Sequence, residues 1–498
     1  MPTPSRHCRV LCVVGLFLLS LVLSGCASLV VTDTTPLPAA RLDPPGSERI
    51  SRGGYSLDTV AASPDTPDLL VIVAMSGGGK RSASFSYGAL KGLRELMVPT
   101  VVGPRPLLNE VDAIAGVSGG SFTAAYYGLH RDATFGRYEH DFLYRDTEAN
   151  IFGIYLLPWN WTWLIDPTVG TNDFMERVYD REMFHGARYA DLKEIGRPLI
   201  AVGATDISSG TPFLFTQDTF DLICSDLDDF PIARAVAASN GFPGLFSPVT
   251  LTNRAAACGG RRPGWLRRVT KAQLDDPRSR IGNEARNAER YLDSERVKYV
   301  HLIDGGVADN LAMRAVGAEM QALAQQAKTA RLEHVRRVLV LSVDGQGSQD
   351  STVAQRRVVG GIFSLFGLVA GVTIDRFNFE TLATVDQQVR DFVAAIERAR
   401  CARGPSIDGH PCEDVSGELV HVSLAGLPKS PYREQLQAIR TGLTLRREDV
   451  DRLIEAGHSA IIHSTPLRDF LDNYAPAAPL AMSGRATAIV LNRTRARF

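Results

Sequence analysis

The sequence predicts an α/β protein in which a central, mainly parallel sheet lies between helices. Three apolar runs carry this reading, each ending in a glycine-bearing turn. Leu69–Ala74 leads into Ser76-Gly77-Gly78-Gly79-Lys80-Arg81-Ser82, after which helix-like spacing begins at Phe85, Ala89, Leu93 and Leu96. The apolar run from Val111 ends at Gly116, and Phe122, Ala124, Ala125 and Tyr126 open a second helix-like stretch. Tyr299-Val300-His301-Leu302-Ile303 ends in Asp304-Gly305-Gly306. Short, continuous apolar runs bounded by turn residues suit strands buried on both faces. Their alternation with helical periodicity is the signature of a layered α/β sheet.

The second run carries the chemistry. Gly116-Val117-Ser118-Gly119-Gly120 has the G-x-S-x-G layout, in which a sharp strand-to-helix turn pushes a serine hydroxyl into the open. Side chains at Gly116 and Gly120 would crowd that turn. Ser118 is thus a candidate nucleophile for acyl transfer. The first run supplies a place for negative charge. A glycine loop opening a helix leaves main-chain N–H groups converging on one point, where the helix dipole adds partial positive charge. The amides of Gly77, Gly78 and Gly79 could hold a phosphate or the oxyanion of an acyl-transfer intermediate. The G-x-x-x-x-G-K-[ST] spacing of a nucleotide P-loop is absent. Lys80 and Arg81 are candidates for contact with an anionic substrate or, alternatively, for solvation. In the third run Asp304 stands at the carboxyl end of a strand, where open α/β sheets build their sites. There it could take the Ser118 proton, given a pKa tuned by burial.

These pieces, in this order, resemble the patatin-like phospholipase family. The matching residues are Gly77-Gly78-Gly79-Lys80-Arg81, Gly116-Val117-Ser118-Gly119-Gly120 and Asp304-Gly305-Gly306. Gly203-Ala204-Thr205-Asp206 before Gly210, and Ala233–Ser239 leading to Pro243 and Pro248, are similar to two further family stretches. Ser82 and Gly241 depart from the pattern, where the family usually has glycine and alanine. The resemblance implies a three-layer α/β/α fold and a lipid acyl hydrolase with a serine–aspartate dyad. Ser118 would be nucleophile, Asp304 base, and Gly77, Gly78 and Gly79 the oxyanion hole, with no cofactor, metal or catalytic histidine. It also implies a membrane phospholipid or lysophospholipid substrate.

Two alternatives stand beside it. A Ser-His-acid esterase would place its histidine after the acid, and His334, His410, His421, His458 and His463 qualify by order. A non-catalytic envelope lipoprotein would use the same fold to bind lipid or a partner.

The N-terminus sets the compartment. Arg6 and Arg9 precede an uncharged apolar stretch from Val10 to Val22, and Leu23-Ser24-Gly25-Cys26 follows. This resembles a bacterial lipoprotein signal, which implies cleavage before Cys26 and acylation of its amine and thiol. Several acyl chains give durable membrane anchoring. Ala27 after the cysteine points to the outer membrane if the source is Gram-negative.

The remaining organisation follows from these landmarks. Residues 1–25 are read as signal, 26–66 as a Pro/Ser/Thr/Gly-rich tether, 67–345 as the hydrolase domain and 346–498 as a helical C-terminal region packing on it, with a strand-like run at Glu418–Leu424. Within the domain, 255–298 is charged and reads as a surface insertion. Hydrophobic residues at 45% and charged residues at 22% suit a globular chain able to bury one large core. A net charge of −1 gives no electrostatic case for nucleic acid. Cys224, Cys258, Cys401 and Cys412 allow three pairings, of which Cys401–Cys412, bracketing a Gly/Pro loop, is favoured. The Trp-rich stretch 151–165 suits either a hydrophobic cap or a membrane-contacting loop. Uncharged 358–374 suits a helix packed on the core or resting on lipid, with a transmembrane span ranked third. Oligomeric state is not legible.

Overall fold

The computed structural model describes residues 31–57, 65–149, 170–325, 332–347, 357 and 362–476. The signal segment, Cys26, the Trp-rich stretch 151–165 and the start of 358–374 lie outside them.

Nine strands form one sheet. They are β1 (Val31–Thr32), β2 (Leu69–Met75), β3 (Ala113–Val117), β4 (Leu199–Asp206), β5 (Thr211–Phe215), β6 (Val249–Thr252), β7 (Tyr299–Ile303), β8 (Arg337–Asp344) and β9 (Ser416–Ser423). Their spatial order is β1-β6-β7-β4-β3-β2-β8-β9, with β5 paired to β4. The block from β4 through β3, β2 and β8 to β9 is parallel. All residues of β2, β3 and β4 are buried, which is why they read as unbroken apolar runs. β7 departs from the parallel block and runs antiparallel to both β4 and β6.

The helices that matter here are α1 (Gly79–Glu95), α2 (Gly119–His130), α3 (Thr171–Tyr179), α4 (Ile232–Ser239), α5 (Arg280–Leu292), α6 (Gly306–Asp309), α7 (Met313–Gln325), α8 (Ile362–Cys401) and α9 (Arg447–Ile462). α1 follows β2, and α2 follows β3, as the alternation of patterns predicts.

Two regions differ from the sequence reading. Residues 31–57, read as part of a tether, pack against the domain. β1 extends the sheet beside β6, and Leu37, Ile50 and Tyr55 are buried. Asp221 accepts from the Ser51 amide at 3.0 Å and hydroxyl at 2.7 Å, fixing this segment further. Its turn residues mark bends in a packed strap rather than a flexible linker. The charged stretch 255–298 presents polar residues outward, yet α5 buries Ala285, Ala288 and Tyr291. The Tyr291 hydroxyl donates to Asp206 at the end of β4 over 3.0 Å.

The C-terminal region is helical as the sequence predicts, and its strand-like run joins the central sheet. β9 pairs with β8 in parallel along its full length, from Arg337 opposite Ser416 to Asp344 opposite Ser423. α9 lies against α1 at backbone contact, since a Cβ on Gly457 would sit 2.0 Å from the Phe85 carbonyl oxygen. The uncharged stretch near 362–374 opens α8, which continues unbroken to Cys401. Among the described residues no helix is long and apolar enough to cross a membrane. Disulfides join Cys401 to Cys412 and Cys224 to Cys258.

Candidate active site

Ser118 occupies the corner between β3 and α2 with φ 47° and ψ −121°. A non-glycine residue at positive φ costs about 1–3 kcal/mol and persists only where its surroundings over-determine it. Here they do. The Ser118 N–H donates to Ser239 Oγ at 2.8 Å, and Ser239 in turn donates to the Gly203 carbonyl at 2.6 Å. The Ser118 carbonyl accepts from Ser121 through both its amide at 3.0 Å and its hydroxyl at 2.6 Å. The glycines around it are close-approach positions. A Cβ on Gly119 would lie 2.1 Å from the Gly79 carbonyl oxygen, and one on Gly120 would lie 2.4 Å from that of Met75.

Asp304 reaches the same corner from β7. Because β7 runs antiparallel to β4, its carboxyl end descends onto Gly203, the residue paired with Val117. Thr205 holds the turn by donating to the Asp304 carbonyl at 2.8 Å. The Asp304 amide donates to Gly241 at 3.0 Å, so the loop after α4 supports it as well. Ser118 Oγ donates to Asp304 Oδ2 over 3.1 Å, across 186 residues of chain. The other carboxylate oxygen, Oδ1, accepts from the Gly306 amide at 2.8 Å. Burial raises the Asp304 pKa to about 6, opposed by the hydrogen bonds from Gly306 and Ser118.

Sequence reasoning missed Asn240, Ser239 and Tyr179. Asn240 Oδ1 lies 3.3 Å from Ser118 Oγ as a second acceptor, and its amide donates to the Tyr179 hydroxyl at 3.0 Å. Burial pushes the Tyr179 phenol well up, so it stays protonated. An asparagine in a helix-terminal Ser-Asn-Gly stretch carries no local signature of this role. Ser239 reads in the sequence only as part of a family-like helix.

The glycine loop divides. The Gly77 amide donates to the Asn310 carbonyl at 2.8 Å, so it is engaged in holding the loop. Among the described residues the amides of Gly78, Gly79 and Gly119 have no hydrogen-bond partner. Gly78 and Gly79 have φ of 131° and 60°, both in the region glycine alone enters freely.

Lys80 and Arg81 do not face the site as candidates for anion contact. Lys80 is fully buried, with its Nζ donating to the Arg145 carbonyl and lying over the Phe142 ring. Burial brings its pKa down to about 7, against the pull of Asp146, Glu182 and Glu148. Arg81 is buried too and donates to the carbonyls of Gly345 at 2.9 Å and Ile439 at 2.8 Å. A hydrated cation on an open helix start was a reasonable expectation. Later chain segments, invisible locally, cover that helix start instead.

The five histidines that qualified by order are all elsewhere. His334 contacts Asp408, His410 contacts Arg336, His421 contacts Ser342, His458 contacts Glu95 and His463 contacts Ser459. Among the described residues Cys401, Cys412 and Glu413 form the one cluster with metal-ligand spacing, and its two sulfurs are bonded to each other.

Residues 73–316 match the family model described as patatin-like phospholipase. Among solved structures, human GIVD cytosolic phospholipase A2 is similar at 12% identity and a TM-score of 0.43, covering 82% of this chain and 63% of that one. The same human enzyme in complex with methyl gamma-linolenyl fluorophosphonate gives 13% identity and a TM-score of 0.37, covering 82% of this chain and 60% of that one. The chain thus spans less than two thirds of the length of these structures. No curated protein matches it. Residues 73–316, which contain the serine corner, the aspartate turn and the glycine loop, thus form a patatin-like phospholipase domain.

Proposed function

We propose that this protein is a lipid acyl hydrolase working through Ser118 and Asp304. The observation that carries the reading is the 3.1 Å hydrogen bond from a strained serine at a strand-to-helix corner to a buried carboxylate. Ser118 Oγ attacks the ester carbonyl carbon as its proton passes to Asp304 Oδ2. The tetrahedral intermediate collapses, the proton moves on to the departing alcohol, and the acyl group stays on Ser118. Water then attacks the acyl-enzyme, Asp304 again takes the proton, and the carboxylic acid leaves as Ser118 recovers its hydrogen.

The oxyanion of both tetrahedral intermediates is held by the amides of Gly78, Gly79 and Gly119. Gly119 joins the set because the N–H following a nucleophile at such an elbow commonly serves this role. Gly77 leaves it because its N–H is already given to Asn310. One such donor is typically worth about 10²–10³ in turnover. Asn240 orients the hydroxyl, and the neutral Tyr179 fixes Asn240. A carboxylate at about 6 is ionised at neutral pH yet basic enough to take a proton.

A phospholipid or lysophospholipid at a membrane is the substrate class supported by the family and by the lipoprotein-like Cys26 segment. The test uses mature protein with phospholipid vesicles and a fluorophosphonate probe. Wild-type protein should release fatty acid and be labelled at Ser118. Ser118→Ala should lose labelling and about 10⁴-fold or more of turnover. A folded wild-type protein that neither hydrolyses vesicles or short esters nor takes the label would point instead to a lipid-binding module.

A further inference from the structure

We infer that the loop at residues 439–444, outside the stretch matched to the family, positions the amides of Gly78 and Gly79, and that Arg81 is the residue that couples the two. The inference rests on the proposed role of those amides.

The contact is backbone on backbone. The Lys80 N–H, first beyond the glycines, donates to the Gly442 carbonyl at 2.8 Å. A Cβ on Gly79 would lie 2.4 Å from that same Gly442 oxygen, so no side chain separates the segments. On its other side Gly79 meets Gly119, whose Cβ would lie 2.1 Å from the Gly79 carbonyl oxygen. The 439–444 loop, the glycine loop and the serine corner are therefore stacked in direct succession. A displacement of the outer layer is transmitted to the amides, because nothing compressible lies between.

Arg81 fastens the layers. Its Nη1 donates to the Ile439 carbonyl at 2.8 Å and its Nε to the Gly345 carbonyl at 2.9 Å. A planar guanidinium spans two carbonyls in fixed directions, which a lysine ammonium cannot reproduce. The outer loop is itself anchored from residues 146–148. Glu148 accepts from the Leu443 amide at 3.0 Å and pairs with Arg440 at 2.9 Å, while Asp146 accepts from the Thr444 hydroxyl at 2.7 Å. Among the described residues none of these anchors hydrogen-bonds to Ser118 or Asp304, so their effect on turnover would pass through the loop.

A shift of about 1 Å in a positioned group can cost about 10²-fold in rate. Arg81→Ala, Arg81→Lys and Glu148→Ala are compared with wild type and Ser118→Ala by steady-state kinetics on one soluble lysophospholipid. Arg81→Ala should lower kcat by about 10-fold or more with KM changed less than about twofold, since the amides act on the transition state. Glu148→Ala should lower kcat in the same sense and to a smaller degree. Added guanidinium at low millimolar concentration should restore part of the Arg81→Ala turnover and none of the Glu148→Ala loss. If Arg81→Ala fails to fold, Glu148→Ala and Arg81→Lys decide. Full kcat in the folded variants, or losses confined to KM, would overturn the inference. An inactive wild type, or an active Ser118→Ala, would instead overturn the proposed function on which it rests.

Discussion

Replacing Asp304 with asparagine should make the protein more stable and inactive at once. Asp304 is 7% exposed, and its charged form is disfavoured by burial. Its pKa rises from 3.8 to about 6 on folding. A group whose folded pKa lies above its unfolded value contributes stability that is fully present below the unfolded pKa. That contribution is lost as pH climbs through the folded pKa. The wild-type protein should therefore lose stability at this site between about pH 4 and pH 6, the window set by those two values. At about 1.4 kcal/mol per pH unit, the cost on the alkaline side approaches about 3 kcal/mol.

Asparagine carries no such cost and keeps the local bonds. Its carbonyl can accept from the Gly306 amide, and its amino group can donate to Ser118 Oγ, whose hydrogen then turns to Asn240. The net gain at pH 8 should be about 1–3 kcal/mol, allowing for imperfect geometry. At about 2 cal/mol/K of unfolding entropy per residue, that corresponds to a Tm increase of about 1–3 °C for a chain of this length. Paired thermal melts followed by circular dichroism at pH 8 and pH 4 are the assay. The gap between variant and wild type should be clear at pH 8 and nearly closed at pH 4. The wild-type kcat/KM should fall on the acid side with a midpoint near 6 rather than near 4, because the base must be ionised. An asparagine variant no more stable than wild type at pH 8, together with an acid limb near 4, would refute the reasoning.

Two further outcomes are expected. Gly119→Ala should lower turnover by about 100-fold or more, since its Cβ would meet the Gly79 carbonyl oxygen at 2.1 Å and force the serine corner and glycine loop apart. Burst labelling by fluorophosphonate, normalised to folded protein, measures it. Cys26→Ser should abolish metabolic incorporation of palmitate and release the protein from membranes on fractionation, following the lipoprotein-like Leu23-Ser24-Gly25-Cys26. Retained labelling in that variant would remove the case for anchoring at this cysteine.

Local sequence was enough wherever local physics sets the outcome. Buried strands β2, β3 and β4 must be apolar throughout, so they were legible as runs. The serine corner and glycine loop need residues without Cβ, so Gly78, Gly79, Gly119 and Gly120 announced them. The candidate pair itself, Ser118 and Asp304, was legible as two strand ends, each followed by glycine. What only the tertiary structure decided is who stands beside whom. The hydrogen bond between that pair spans 186 residues, and an antiparallel β7 delivers the aspartate. Nothing in a strand's composition states its direction in a sheet. The inward turn of Lys80 and Arg81, the packing of residues 31–57, and the parallel entry of β9 likewise depend on partners distant in sequence. A polar or turn-rich segment reads as exposed until the elements that satisfy its hydrogen bonds are in place. Those elements come from parts of the chain that the local pattern cannot see.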